Sequence, residues 1–261
     1  MMRRFWGDIK RYAYFCVYSA KSDLKAEVAN SYLNWIWWVL EPLLNMLVYY
    51  FVFGNLMGSD QEYYIIFIYS ALLMWNFFNR CIIYSVKAVR MNREIVTKVY
   101  VPKFILLLSN MILNGIKLLI SLGILAVLII AFRVPFTVKM LYVIPIYLIV
   151  FIFTFGCGMV FMHFGVFIDD LAYALGILLN MLFFMSGIFY NVETTLASPL
   201  GYILARINPM AALINNMRGA LIYGITPDFI LMFIWLDIGL ILSIVGVRII
   251  YKYENSYVKV V

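Results

Sequence analysis

Long apolar runs dominate this chain, and they are apolar all the way round rather than in alternation. Residues 116–132 and 144–155, read as helices, present apolar side chains on every face. A membrane barrel strand would instead alternate apolar and polar over segments of about 10 residues, so the pattern predicts helices. Six runs reach or approach the roughly 20 residues that cross a bilayer: residues 35–57, 63–86, 104–132, 141–168, 171–189 and 229–250. Before the first, residues 4–19 place Phe5, Ile9, Tyr12 and Cys16 on one stripe with Arg4, Lys10 and Arg11 elsewhere. That is the pattern of an amphipathic helix lying in the membrane interface, and a charged turn over residues 21–27 is predicted to follow it. Between the fifth and sixth runs, Pro199, Pro209, Pro227 and several glycines cut residues 191–227 into pieces too short to cross. These read as short re-entrant or extracellular helices.

The expected fold is therefore an all-α integral membrane protein. Residues 1–31 form the interfacial helix and turn, and residues 32–261 a six-span domain with an inner segment at 87–103 and an outer segment at 190–227. Composition agrees, with 66% hydrophobic and only 13% charged residues. A soluble enzyme, a nucleic-acid module and a disordered tail are excluded, because each needs a polar surface that this sequence does not supply. The net charge of +7 points to anionic lipid rather than nucleic acid, since the basic residues flank the runs.

Charge also orients the chain. Six spans place both termini on one side with residues 87–103, which carry Lys87, Arg90, Arg93, Lys98 and Lys103 against the single acid Glu94. Fourteen basic residues fall on that side and four on the other, namely Arg133, Lys139, Arg206 and Arg218. The positive-inside rule then predicts cytoplasmic termini. The first residues hold too many charges for a cleaved signal peptide, so none is expected. Cys16, Cys81 and Cys157 are widely spaced and read as packing residues. No internal repeat of the kind found in inverted-repeat transporters is visible.

Chemistry-bearing groups are sparse. His163 is the only histidine, and a lone histidine in an apolar helix is a packed, hydrogen-bonded residue far more often than a catalyst. The chain has no Gly-x-x-x-x-Gly-Lys-Ser/Thr phosphate loop, so ATP-powered transport requires a nucleotide site on another chain. Charges inside spans are more telling, because each costs about 2.5–3.5 kcal/mol at mid-bilayer on insertion scales. Glu41, Lys117 and Asp237 are such charges. By the 3.6 period Asn34, Glu41 and Asn45 share one face of the first span, and Asn110, Asn114, Lys117 and Ser121 share one face of the third. These faces fit either interhelical hydrogen bonding or a polar pathway, and Glu41 with Lys117 is a candidate ion pair. The 20 Tyr and 21 Phe suit a partly greasy, partly hydroxylated cargo, although packing accounts for most aromatic stripes.

Several segments, taken in order, resemble the membrane subunits of ABC exporters that move lipid-linked polysaccharides, the O-antigen, capsule and teichoic acid permeases. They are Trp35-Ile-Trp-Trp38-Val-Leu-Glu41-Pro42 leading to Tyr49-Tyr-Phe-Val-Phe53-Gly54; Trp75-Asn-Phe-Phe78; Asn92-Arg-Glu-Ile-Val-Thr-Lys98-Val-Tyr-Val-Pro102; Ser186-Gly-Ile-Phe-Tyr190; Asn208-Pro209 with Arg218; and Tyr253-Glu254. The resemblance implies a homodimer with a channel between its subunits, in the bacterial cytoplasmic membrane. Each subunit would bind a separate ATPase, two copies in all, which carry the ATP and Mg; no cofactor is expected in this chain. It also implies that the stretch with Arg90, Asn92, Arg93, Glu94, Lys98 and Pro102 is a coupling helix docking on the ATPase. Ser186, Tyr190, Asn208, Pro209 and Arg218 would belong to the outer re-entrant motif. Arg3, Arg4, Lys10 and Arg11 would meet lipid headgroups at the inner surface. Where the family commonly has Arg-Asp after the fourth span, Asp169-Asp170 stands here, which removes the expected salt bridge. Competing readings are an ABC permease for drugs or lipids, and an intramembrane enzyme of lipid-linked sugar metabolism. The enzyme would need clustered acids and bases, whereas Glu41, Asp237 and His163 are scattered in sequence.

Overall fold

The structure, a computed structural model, describes residues 2–29, 32–58, 61–195 and 199–260. Among the described residues every regular element is helical. α1 (Met2–Val28) opens the chain. A 3-10 turn leads into α2 (Trp37–Tyr49), which continues as a π-helix over Tyr50–Leu56. α3 (Tyr64–Met91), α4 (Arg93–Lys98) and α5 (Phe104–Ala131) follow, then α6 (Val143–Phe167) and α7 (Leu171–Met185). The broken region holds α8 (Val192–Thr195), α9 (Leu200–Ile207) and α10 (Pro209–Leu221), and α11 (Phe229–Val260) closes the fold.

α3 is the post around which the rest assembles. Every residue from Ile66 to Trp75 is buried, as a helix without an amphipathic face must be once neighbours cover it; α2, α5, α6 and α7 all pack against it. The closest pairing is α6 with α11, and small residues make it possible. A Cβ on Gly156 would stand 2.7 Å from the carbonyl oxygen of Gly239, and one on Gly246 would stand 2.4 Å from Cβ of Met159. Backbones that approach this closely gain dispersion contact that hydrocarbon itself cannot supply. Ser243 Oγ adds a bond across the pair by donating to Ile152 O at 3.3 Å.

Among the described residues, five helical stretches are long and apolar enough to cross a membrane: Trp37–Leu56, Tyr64–Met91, Phe104–Ala131, Val138–Phe167 and Phe229–Tyr257. The fifth predicted run behaves differently. Its helix, α7, has 15 residues, about 22 Å of rise against a hydrocarbon core of ~30 Å. Gly187, at φ +66°, turns the chain out of the helix. Even so the run passes between the two ends of the bundle: Asp169 pairs with Arg90 near the end of α3, and the carbonyl of Phe189 accepts from Tyr64 Oη at the start of α3, at 2.8 Å. The two ends are hereafter the α4 end and the α10 end. α1 and the last turns of α11 meet at the α4 end through Arg4 and Glu254.

The predicted charged turn over residues 21–27 is instead helical, so α1 spans 27 residues. Ala20 and Leu24 extend its apolar stripe onto Leu113 of α5, while Lys21, Asp23 and Lys25 remain exposed. Four-residue spacing of two small apolar groups thus outweighs the local charge density.

Gly156→Val should force α6 and α11 apart, lowering stability by about 1–3 kcal/mol. Gly123→Ala, where an added Cβ meets nothing within 4 Å, should be neutral or stabilise by at most about 1 kcal/mol. Thermal unfolding of both variants in one detergent checks the contrast.

Candidate functional site

Three helices enclose a polar cleft below the middle of the bundle. α2 contributes Trp38, Glu41 and Pro42, α3 contributes Asn76 and Arg80, and α5 contributes Asn114, Lys117 and Ser121. Arg80 donates to Glu41 Oε1 at 2.6 Å. Lys117 pairs with Glu27 on α1, so the expected Glu41–Lys117 pair is replaced by two pairs that meet in one cleft. The helix period places both residues on facing surfaces but does not choose between nearby partners. Asn114 donates to Asn110 O and Oδ1 at 3.0 and 2.9 Å, and Ser121 Oγ donates to Lys117 O at 3.0 Å. The polar face of α5 is therefore largely satisfied within its own helix. The cavity measures about 40 Å³, room for a few waters and too small to be a conduit within one chain. Asn45 and Asp237 do not line it and are exposed; the side chain of Asn34 lies outside the described residues.

The α4 end is knit by charge and aromatic rings. Arg4 donates to Tyr100 Oη at 2.5 Å and to Glu254 Oε2 at 3.1 Å, and its guanidinium lies 4.3 Å from the centre of the Tyr251 ring. Tyr251 Oη donates to Asp8 Oδ2 at 2.6 Å, and Tyr12 Oη donates to Tyr100 O at 2.9 Å. These bonds join α1, the 99–103 linker and α11. Arg4, expected among the headgroup residues, is thus committed to protein, whereas Arg3, Lys10 and Arg11 are exposed. α4 stands between α3 and α5 with Val96 buried beneath it and Arg93, Glu94 and Lys98 outward. Asn92, just before it, donates to Tyr84 Oη at 3.0 Å and to Ala88 O at 2.8 Å. Pro102 and Lys103 after it are buried; burial pulls the Lys103 ammonium below its ordinary pKa, opposed by Glu254. Asp169 has a partner after all: the cation comes from Arg90 of α3, which also donates to Val166 O at 2.8 Å. His163 Nδ1 is bonded to Tyr257 Oη at 2.8 Å, and that bond together with its ring contacts accounts for its place in α6.

At the α10 end the motif residues converge. Asn208 caps α10 by accepting from the amides of Met210 and Ala211 at 3.0 and 3.3 Å, and it donates to Ser186 Oγ at 3.0 Å. Pro209 occupies the first helical position, where its missing N–H costs nothing. Tyr190 Oη donates to Phe184 O at 2.8 Å. Arg218, 3% exposed, donates to the carbonyls of Phe67, Gly187 and Ile188 over 2.7–3.1 Å and stacks on the Phe67 ring at 3.4 Å. It has no acidic partner among the described residues. Oriented carbonyl dipoles take the counterion's place, and they replace the hydration lost on burial.

Two ion-pair partners of the cleft carry no role in the sequence pattern. Glu27, which pairs with Lys117 from outside the cleft, falls in the predicted turn, although its position seven residues after Ala20 puts it near the same stripe. Arg80 lay in plain view within a span, and its insertion cost was the signal that it had an acidic partner.

The chain matches the profile of a family described as ABC-2 type transporter over residues 16–222. It is 26% identical over 239 residues, 91% of either chain, to an O-antigen export system permease protein RfbA of Klebsiella pneumoniae. A protein of the same name from Myxococcus xanthus is 25% identical over 227 residues, 87% of either chain. The inner membrane transport permease YadH of Escherichia coli (strain K12) is 25% identical over 208 residues, 76% of this chain and 80% of that one.

Two predictions follow from the pairings. Glu41→Gln and Arg80→Gln should be non-additive by about 0.5–1 kcal/mol, whereas Glu41→Gln and Asp237→Asn, which does not line the cleft, should add to within ~0.3–0.5 kcal/mol, as read by unfolding in a double-mutant cycle. Arg218→Met, which strips donors from three buried carbonyls, should cost about 3 kcal/mol or more, and Arg218→Lys should recover only part of it.

Proposed function

The chain belongs to the ABC-2 type transporter family, whose members are transport subunits, and on that premise we propose that it is the permease half of an ATP-driven exporter of lipid-linked polysaccharide. In this reading two copies bind two ATPase subunits, which hold the ATP and Mg. The names of the O-antigen relatives support the polymer class. The observation that carries the mechanism is the linkage at the α4 end. α4 is a six-residue knob with a charged outer face, packed on α3 and followed two residues later by Tyr100, which with Arg4, Tyr251 and Glu254 binds α1 to α11. An ATPase pressing on α4 would displace α1, α3, α5 and α11 together, which is how one docking contact biases a two-state membrane dimer.

Six crossings fit this assembly. The traverse of residues 169–189 from one end of the bundle to the other supports a short fifth crossing, and the meeting of α1 with the end of α11 supports an even number. The excess of basic residues then puts the α4 end in the cytoplasm, with Arg3, Lys10 and Arg11 at anionic headgroups. A second copy of the chain would cover polar groups that one copy leaves exposed. Asn45 on α2, and Tyr173 and Asn180 on α7, are exposed on helices that would otherwise turn them toward lipid. Covering them with a partner creates a channel wall that is polar on one side.

Accessibility and coupling test the reading together. Cysteine introduced at Arg93 should resist a membrane-impermeant thiol reagent in intact cells and react in inside-out vesicles, and cysteine at Glu193 should do the reverse. Arg93→Glu with Lys98→Glu should cut polymer export by about tenfold or more when co-expressed with the ATPase, as loss of roughly 1.4 kcal/mol of docking does, while the protein level in the membrane stays unchanged. Labelling of residue 93 in intact cells would overturn the orientation.

A further inference from the structure

At the α10 end a second cavity of about 320 Å³ lies between α8, α9, α10 and the start of α11, within the size range of small-molecule sites. Its walls are half polar and carry several unspent groups. Arg206 Nη1 is buried and has no hydrogen-bond partner among the described residues, although Nη2 lies 3.8 Å from Asp228 Oδ2 and the guanidinium stacks 3.7 Å from the Tyr202 ring. Asn215 lines the cavity, and its amide has no partner among the described residues. The carboxylate of Glu193 lines it too and has no ion pair among them. Two other lining groups are already used: Asn216 Oδ1 accepts from Asp228 N at 2.6 Å and Asp228 Oδ1 accepts from Leu231 N at 3.1 Å. The remaining wall includes the half-exposed ring of Tyr223.

We propose that this cavity is a subsite for one uncharged pyranose ring, held as glycan emerges on the outer side. Among the described residues Asn215 offers the cavity a free amide N–H and a free carbonyl, the Glu193 carboxylate adds acceptors, and the Arg206 guanidinium lies in the same wall. A ligand that fits must offer donors and acceptors in equal measure, as sugar hydroxyls do. Charge narrows the class further. Glu193 and Asp228 outnumber Arg206, whose fork already serves Asp228, so a phosphate would meet net repulsion and a bare cation would meet the guanidinium. The Tyr223 ring supplies an apolar surface for the C–H face of a sugar. The proposal rests on the export reading for the source of its sugar, and it selects neutral polysaccharide over polyol phosphate as the cargo.

Saturation-transfer NMR on the full chain in nanodiscs tests it, with methyl glycosides of neutral hexoses and of N-acetylhexosamines against glycerol phosphate. At least one neutral pyranoside should receive saturation, glycerol phosphate should not, and Asn215→Leu or the exposed Glu193→Gln should weaken binding by about 2- to 10-fold, the value of one hydrogen bond. Gly219→Phe, which projects into the cavity, should abolish the signal. No signal from any pyranoside, equal signal in all three variants at wild-type melting temperature, or a glycerol phosphate signal as strong as the sugar's would overturn the subsite. Binding needs no ATPase, so the two readings fail separately. A chain that binds pyranosides but exports nothing with its ATPase sinks the export reading, and a chain that exports but binds none sinks only this one.

Discussion

Backbone N–H and C=O groups at hydrocarbon depth have no water to turn to, and every interruption of a helix in this fold answers to that constraint. Where α7 stops at Met185 the chain runs on without helical bonds, and the carbonyls of Gly187, Ile188 and Phe189 would be orphaned. Arg218 takes two of them and Tyr64 the third. Asn208 performs the same service for the first amides of α10 and reaches back to Ser186. The short α7 and the broken α8–α10 segment are therefore one construction. A helix can end early here because the next elements bring donors to its loose end.

Charge follows a parallel rule on the opposite side. Ionised groups are gathered into pairs that join separate helices: Arg4 with Glu254, Arg90 with Asp169, Arg80 with Glu41, Lys117 with Glu27. Most are partly exposed, so each adds little to stability. Their value lies in register, because they tie α1 to α11 and to α5, and α3 to α2 and to the turn at Asp169. An apolar bundle without them could slide along its own grooves, since one lipid-like contact is much like another.

The sequence made the spans legible because hydrocarbon length leaves a coarse, robust signature; four runs match helices within a few residues at most boundaries. The second and sixth are the exceptions: α3 runs on to Met91 through Lys87 and Arg90, and α11 runs ten residues past the predicted end through Lys252 and Glu254, because charges at a helix end reach out to the interface while the backbone stays helical. The outer motif was legible as residues, and Ser186, Asn208 and Arg218 do come together, but nothing in their spacing said that Arg218 would bind carbonyls rather than an acid. Partner choice was the least legible layer. Periodicity puts Glu41 and Lys117 on polar helix faces, and both line one cleft, yet which cation meets which anion depends on how α1 crosses α5, where Ala20, Leu24 and Leu113 pack together, residues with no polar signal at all. Arg206 and Asn215 escaped notice for a related reason, since a pocket made by three short helices has no period to read.

Because Arg218 grips main-chain oxygens and not side chains, the segment it holds is recognised by shape rather than by identity. Ile188 and Phe189 could be exchanged for other residues without breaking those bonds, while position 187 could not, since its backbone lies in the left-handed region and a Cβ there would sit 2.3 Å from Val192. The clamp therefore leaves side-chain identity along this strip to core packing, which holds Ile188 and Phe189 buried, and fixes only a single achiral point, so a search for the same clamp elsewhere would do better to look for a glycine paired with a distant arginine than for any conserved string of letters.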